Sequence, residues 1–274
     1  MYYIDSHAHV YPDRIAKYAM QSMMDEQKLT HMPHSFNNGT KDRLIEEMSG
    51  NKVKTSVVLP VATAPKQFDS INRFAIEINN KNGLISLGGI HPDNDNVRSR
   101  LEFIKQSGLR GIKIHPDYQG VYIDDDRYVN IIKICMELGL IVAIHSGVDV
   151  AKPDPVHCSA ERAKNMIDRV FDGKPPKKCN IILAHMGANM QYDEVERYLI
   201  DSPAYFDTAF MLDKTDPDTT MKVIRRHGVD KILFGTDSPW VSQAKYTEII
   251  ESLPLSGKEL SMIAHENAEE LFGI

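Results

Sequence analysis

Cysteine is scarce in this 274-residue chain: Cys135, Cys158 and Cys179 are far apart and odd in number. That excludes a disulfide framework or a zinc ribbon and makes a reducing compartment the default. No apolar run approaches the roughly 18 residues a membrane span needs. The opening Met-Tyr-Tyr-Ile-Asp carries neither a basic leader nor a small-residue cleavage site, so a cytoplasmic protein is expected. Positive charge is also in deficit: 32 Lys and Arg against 38 Asp and Glu give a formal charge of −6. Nucleic acid and membrane are therefore not expected partners, since both select basic surfaces. A small-molecule substrate is expected, and homo-oligomerisation is left open. No Gly-x-Gly-x-x-Gly turn follows an apolar run, which ranks an open dinucleotide-binding sheet low.

What the chain does contain is an ordinary globular balance, 42% hydrophobic and 26% charged, and a repeating pattern. Eight short apolar runs begin near Tyr3, Thr55, Leu84, Gly111, Leu140, Asn180, Ala204 and Lys231. Several are continuously apolar, as in parallel strands covered on both faces. Between them lie stretches with helical spacing, such as Phe68, Ile71, Ala75, Ile78 and Val129, Ile132, Met136, with Gly83 and Gly139 placed as helix stops. Eight βα units of this size predict an α/β fold, a single (β/α)8 TIM barrel over residues 1–274.

Two connections are long: Tyr11 to Lys52 after the first strand, and Gly147 to Asn180 after the fifth. Long loops in a compact domain are usually functional, so both are expected to act as lids. Met20, Met23 and Met24 read as the buried face of a helix, and Asp124-Asp125-Asp126 as a helix cap.

The histidines follow the strands. His7 and His9 end the first, His91 the third, His115 the fourth, His145 the fifth and His185 the sixth, while Asp237 follows the eighth. In a barrel these ends converge on one mouth. Side chains at i and i+2 of a strand share a face, so His7 and His9 can close on one ion, with His145 and Asp237 placed to complete an open site for a zinc-type cation.

Ile4-Asp5-Ser6-His7-Ala8-His9, Ala143-Ile144-His145-Ser146-Gly147, Leu183-Ala184-His185-Met186-Gly187 and Leu233-Phe234-Gly235-Thr236-Asp237-Ser238-Pro239-Trp240 together resemble the amidohydrolase superfamily. They are most similar to its branch of amino-carboxymuconate-semialdehyde decarboxylase-like metal-dependent hydrolases. The resemblance runs end to end and includes the closing His265 to Gly273. It implies that His7, His9, His145 and Asp237 hold the ion, and that His185 faces the substrate or a second metal. Two-metal members carry a carboxylated lysine on the fourth strand, and Lys113 lies close to that position. A plain ammonium there repels a second cation, so one Zn2+ is favoured, with a second ion only if Lys113 is carboxylated.

The leading functional expectation is a hydrolase of a small amide, ester or lactone, with Asp237 and His185 catalytic around a metal-activated water. The alternative is a non-oxidative decarboxylase of a small carboxylic acid in the same scaffold. Lys113, His91, His115, His157 and Trp240 are candidate substrate-binding residues. His31 and His34 read as solvated loop histidines. Cys158 is not assigned as a nucleophile, because nothing predicts a lowered thiol pKa.

Overall fold

The computed structural model describes residues 1–28, 35–174 and 176–274; His31 and His34 lie outside them. The apolar runs form β1 (Tyr3–Ala8), β2 (Val53–Val58), β3 (Leu84–Ser86), β4 (Gly88–Gly89), β5 (Gly111–Ile114), β6 (Ile141–Ile144), β7 (Ile181–Leu183), β8 (Tyr205–Asp207) and β9 (Ile232–Leu233). Every pairing between these strands is parallel, in the orders β1-β2-β3 and β4-β5-β6-β7-β8-β9. The ends of the two sheets adjoin. Ser6 N donates to Phe234 O at 2.8 Å, and Asp237 N donates to His7 O at 2.8 Å.

The third predicted run is therefore two strands, broken at Leu87. The cause is a buried Asn72, whose side chain donates to Gly89 O at 2.9 Å and accepts from Gly89 N at 3.0 Å. An amide side chain thus satisfies backbone groups that a ladder would otherwise pair. A Cβ on Gly88 would stand 2.5 Å from Asn72 Oδ1, so only glycine admits the intrusion.

Period-two alternation sorts the strand side chains. Ile141 and Ala143 of β6 join one apolar cluster with Ile4, Val57, Leu87, Ile182 and Leu233. Val142 and Ile144 join the larger cluster, which includes helix residues such as Ile132 and Met166. Continuing the odd parity carries Lys113 and His115 from β5, and His145 from β6, onto the same side as Ala143, above that first cluster.

Helix 126–138 starts at the Asp125 cap, which accepts from Arg127 N, and ends at Gly139 in the left-handed region. Gly83 does not stop a helix. The helix Phe68–Ile78 ends at Asn79, and Gly83 leads into β3. Both long connections carry helices: Asp13–Lys28 and Lys41–Gly50 in the first, Ala160–Val170 in the second. Met20 is buried there as read from the sequence, while Met23 is only half-buried. No described helix is long and apolar enough to cross a membrane.

Candidate metal centre

His7 is the last-but-one residue of β1 and is almost wholly buried. Its Nδ1 donates to Asp207 Oδ2 at 2.8 Å. His9 Nδ1 donates to the Leu59 carbonyl at 2.8 Å. With each Nδ1 occupied, both Nε2 lone pairs are left for the site, the usual way an outer partner fixes a ligating tautomer. The two Nε2 atoms lie 3.2 Å apart. Asp237 Oδ1 is 3.1 Å from His9 Nε2 and 3.5 Å from His7 Nε2. Donors at about 2.1 Å from a tetrahedral ion stand about 3.4 Å from one another, so this triangle fits a small divalent cation.

Electrostatics agree with that use. Burial, with the Lys113 ammonium beside it, pushes His7 well below its ordinary 6.5, so the ring is neutral and able to ligate. Burial alone would raise Asp237, but the facing His7 and His9 outweigh it and hold the carboxyl below its usual range. Asp237 adopts a left-handed backbone, φ 69°, an uncommon conformation of the kind that clusters at functional sites.

His185 owes its position to a change of handedness. After β7 the residues His185 and Met186 turn left-handed, φ 60° and 56°. This re-aims an imidazole that strand alternation would place on the other face from Ala184. The backbone N–H of His185 donates to Asp207 Oδ1 at 2.8 Å and its ring Nδ1 donates to the Ala209 carbonyl at 2.9 Å. Donor atoms of His185, His7 and Asp237 all lie within 4.8 Å of one another.

His145 stands one ring further round, with Nδ1 3.0 Å from His185 Nε2. It stacks on His115, ring centroids 3.9 Å apart and planes 8° from parallel. These two rings and Asp149 form a second donor group, but in-plane lone pairs on parallel rings do not converge on one point. Asp117 completes the cluster. His115 Nδ1, His145 Nε2 and Asp117 Oδ2 are buried without hydrogen-bond partners among the described residues, and Asp117 Oδ2 is 4.0 Å from each of those nitrogens. Burial holds both imidazoles well below 6.5 and raises Asp117.

Lys113 is fully buried on β5, with Nζ 3.4 Å from His7 Nε2. Burial lowers its pKa to about 8. A cavity of about 740 Å³ opens over these groups and is lined by His7, His9, Lys113, His115, His145, His185, Asp237 and Trp240. Arg14, Ile15 and Met23 from the first long connection, and Val148 to Lys152 from the second, also line it. His91 and His157 are not among its lining residues. His91 Nδ1 accepts from Asp93 N at 3.1 Å, and His157 pairs with Asp117 at 3.2 Å. The Cys158 thiol is buried and pushed up to about 12.

The sequence reading missed Asp207, Asp117 and Asp149. Asp207 ends the run Ala204-Tyr205-Phe206, so the rule that strand ends carry function reaches it. Asp149 and Asp117 lie in connections, where sequence gives no position.

The family model described as "Amidohydrolase" matches residues 4–274. The chain belongs to the amidohydrolase family. It is thus an enzyme of that metal-dependent family. This amidohydrolase is similar in structure to a TIM-barrel protein from Bordetella bronchiseptica: TM-score 0.74, 16% identity, 100% of this chain and 99% of that one. The 5-carboxyvanillate decarboxylase of Sphingomonas paucimobilis gives 0.68 and 17%, covering 100% and 99%. A dihydroxybenzoic acid decarboxylase from Polaromonas, with bound manganese and the inhibitor 2-nitroresorcinol, gives 0.70 and 16%, covering 99% and 97%. These likenesses show an α/β fold of TIM-barrel type. A search of curated protein sequences finds no match.

Proposed function

We propose that this amidohydrolase is a metal-dependent, non-oxidative decarboxylase of a small carboxylic acid, and that its two sheets form one closed barrel domain. The reading places decarboxylation ahead of the hydrolysis first expected. The observation that carries it is Lys113, a fully buried cation beside His7 in a cavity with apolar walls. A buried ammonium suits an anionic substrate and is of little use to a neutral amide or ester. Arg14 and Lys152 add positive charge to the lining. The likeness in fold to two decarboxylases supports the same reading.

His7, His9 and Asp237 would hold the cation, with His145 as the further ligand that the family resemblance implies; Zn2+ suits the nitrogen donors, and Mn2+ is the ion bound by the Polaromonas protein. When bound, such an ion supplies Lewis-acid polarisation of a substrate oxygen. The protein's own residues supply the rest. Lys113 pairs with the substrate's negative charge. Loss of carbon dioxide leaves an electron pair on carbon, which takes up one proton; with its Nδ1–H committed to Ala209 O, His185 would take that proton from solvent at Nε2 and, as imidazolium, pass it on to the carbon. Trp240 and Met23 present apolar surface to the body of the substrate.

The test is a purified, metal-replete enzyme offered hydroxybenzoic and short unsaturated acids beside a panel of amides, esters and lactones. Carbon dioxide in one-to-one yield with acid consumed is expected. Ring or amide opening without carbon dioxide would restore hydrolysis as the activity.

A further inference from the structure

One carboxylate touches both halves of the site. Asp207, at the end of β8, is 1% exposed. Its Oδ2 accepts from His7 Nδ1 at 2.8 Å, while its Oδ1 accepts from the backbone N–H of His185 at 2.8 Å and of Ala209 at 3.1 Å. Its own carbonyl accepts from Met186 N at 2.7 Å. The left-handed pair His185 and Met186 is thus pinned at both residues by Asp207.

We propose that Asp207 is a positioning residue for this site, setting the His7 tautomer with one oxygen and the placement of His185 with the other. The argument is one of acceptors. Three N–H groups converge on this side chain, two of them backbone amides that never lose their proton. Only a carboxylate offers an acceptor on both sides. Neutral imidazole otherwise carries its proton on either nitrogen, and a proton on Nε2 would block the lone pair aimed at Asp237.

The isosteric Asp207→Asn separates positioning from mere packing. The asparagine oxygen must serve the two backbone amides, which turns its NH2 toward His7 Nδ1. His7 then becomes an acceptor at Nδ1 and carries its proton on Nε2. Two readouts follow. In metal-free full-length protein labelled with 15N-histidine, the His7 signals, assigned by a His7→Gln variant, change from the Nδ1–H to the Nε2–H pattern. Zinc affinity, measured by chelator competition, falls 10- to 100-fold, the usual effect of losing an outer partner. In Asp207→Glu, which restores two acceptor oxygens, the tautomer returns toward that of the native protein.

An unchanged His7 tautomer in Asp207→Asn, or zinc affinity within threefold of the native protein, overturns the proposal. The inference rests on the proposed metal-holding role of His7. The tautomer readout needs neither metal nor substrate, so its failure is distinguishable from failure of the decarboxylase reading. Should Asp207→Asn not fold, the native tautomer alone decides, because an Nε2–H pattern in His7 would refute the hydrogen bond on which the argument stands.

Discussion

Lys113 Nζ stands 3.4 Å from His7 Nε2, at the same nitrogen that the proposed cation would use. Ammonium and ion cannot share one lone pair, and like charges a few ångströms apart in a dry site repel by several kcal/mol. Lys113→Met is therefore expected to tighten zinc binding at least tenfold while lowering kcat/KM for an acidic substrate at least a hundredfold. Equilibrium dialysis and steady-state kinetics measure the two. Weaker metal binding in the variant, with loss of one of two ions, would mean that Lys113 is a carboxylated bridge.

His185→Asn removes the proton held at Nε2 and leaves His7, His9 and Asp237 in place. Turnover is expected to fall by roughly 10²- to 10⁴-fold, the usual size of a general acid's contribution, with zinc content unchanged. Elemental analysis beside the rate decides whether the residue serves chemistry or ligation.

Metal uptake at pH 6 reports the buried rings. An ordinary histidine of pKa about 6.5 is roughly three-quarters protonated there and releases that proton on ligation, so three such ligands would release about two protons per ion. Burial holds His7 and His145 well below 6.5; their lowered pKa means that they are already neutral at pH 6 and lose affinity only at more acid pH. Calorimetry of zinc binding in buffers of different ionisation enthalpy should show release well below two protons.

The thiols should be silent in the native protein. Burial pushes Cys158 up to about 12 and Cys179 up to about 11, and raises Cys135 as well. At pH 8 the thiolate fraction is then about a thousandth or less, against roughly a quarter for a free thiol. A colorimetric thiol reagent should titrate none of the three before denaturation and all three after it.

Gln119 should matter to stability. Its side chain accepts from His115 N at 3.0 Å and Tyr128 OH at 2.6 Å, and donates to Ala62 O at 2.7 Å and Ile90 O at 2.8 Å. Gln119→Leu strands four buried polar groups and is expected to cost at least about 3 kcal/mol, read as a lowered denaturation midpoint in urea.

Much of the architecture was legible because parallel strands buried on both faces spell themselves as apolar runs. Each of the eight runs became strand, and Asp125 and Gly139 capped a helix as their chemistry requires. The break at Leu87 was not legible, since it depends on Asn72 arriving from a helix fifteen residues earlier. Among the site residues, His7, His9 and Asp237 could be grouped from their places at strand ends. The approach of His185 depends on a left-handed turn that its sequence does not announce. Asp117 and Asp149 reach His115 and His145 from connections whose path only the folded chain defines.

The donors of the candidate centre sit on strand ends, whereas Arg14, Ile15, Met23 and Val148 to Lys152 reach the cavity from the connections between strands. Reactivity and selectivity are therefore written in separate stretches of the polypeptide. An engineer can trade the walls for those of another barrel to admit a different acid while the ion cradle stays as it is, and natural divergence has the same freedom.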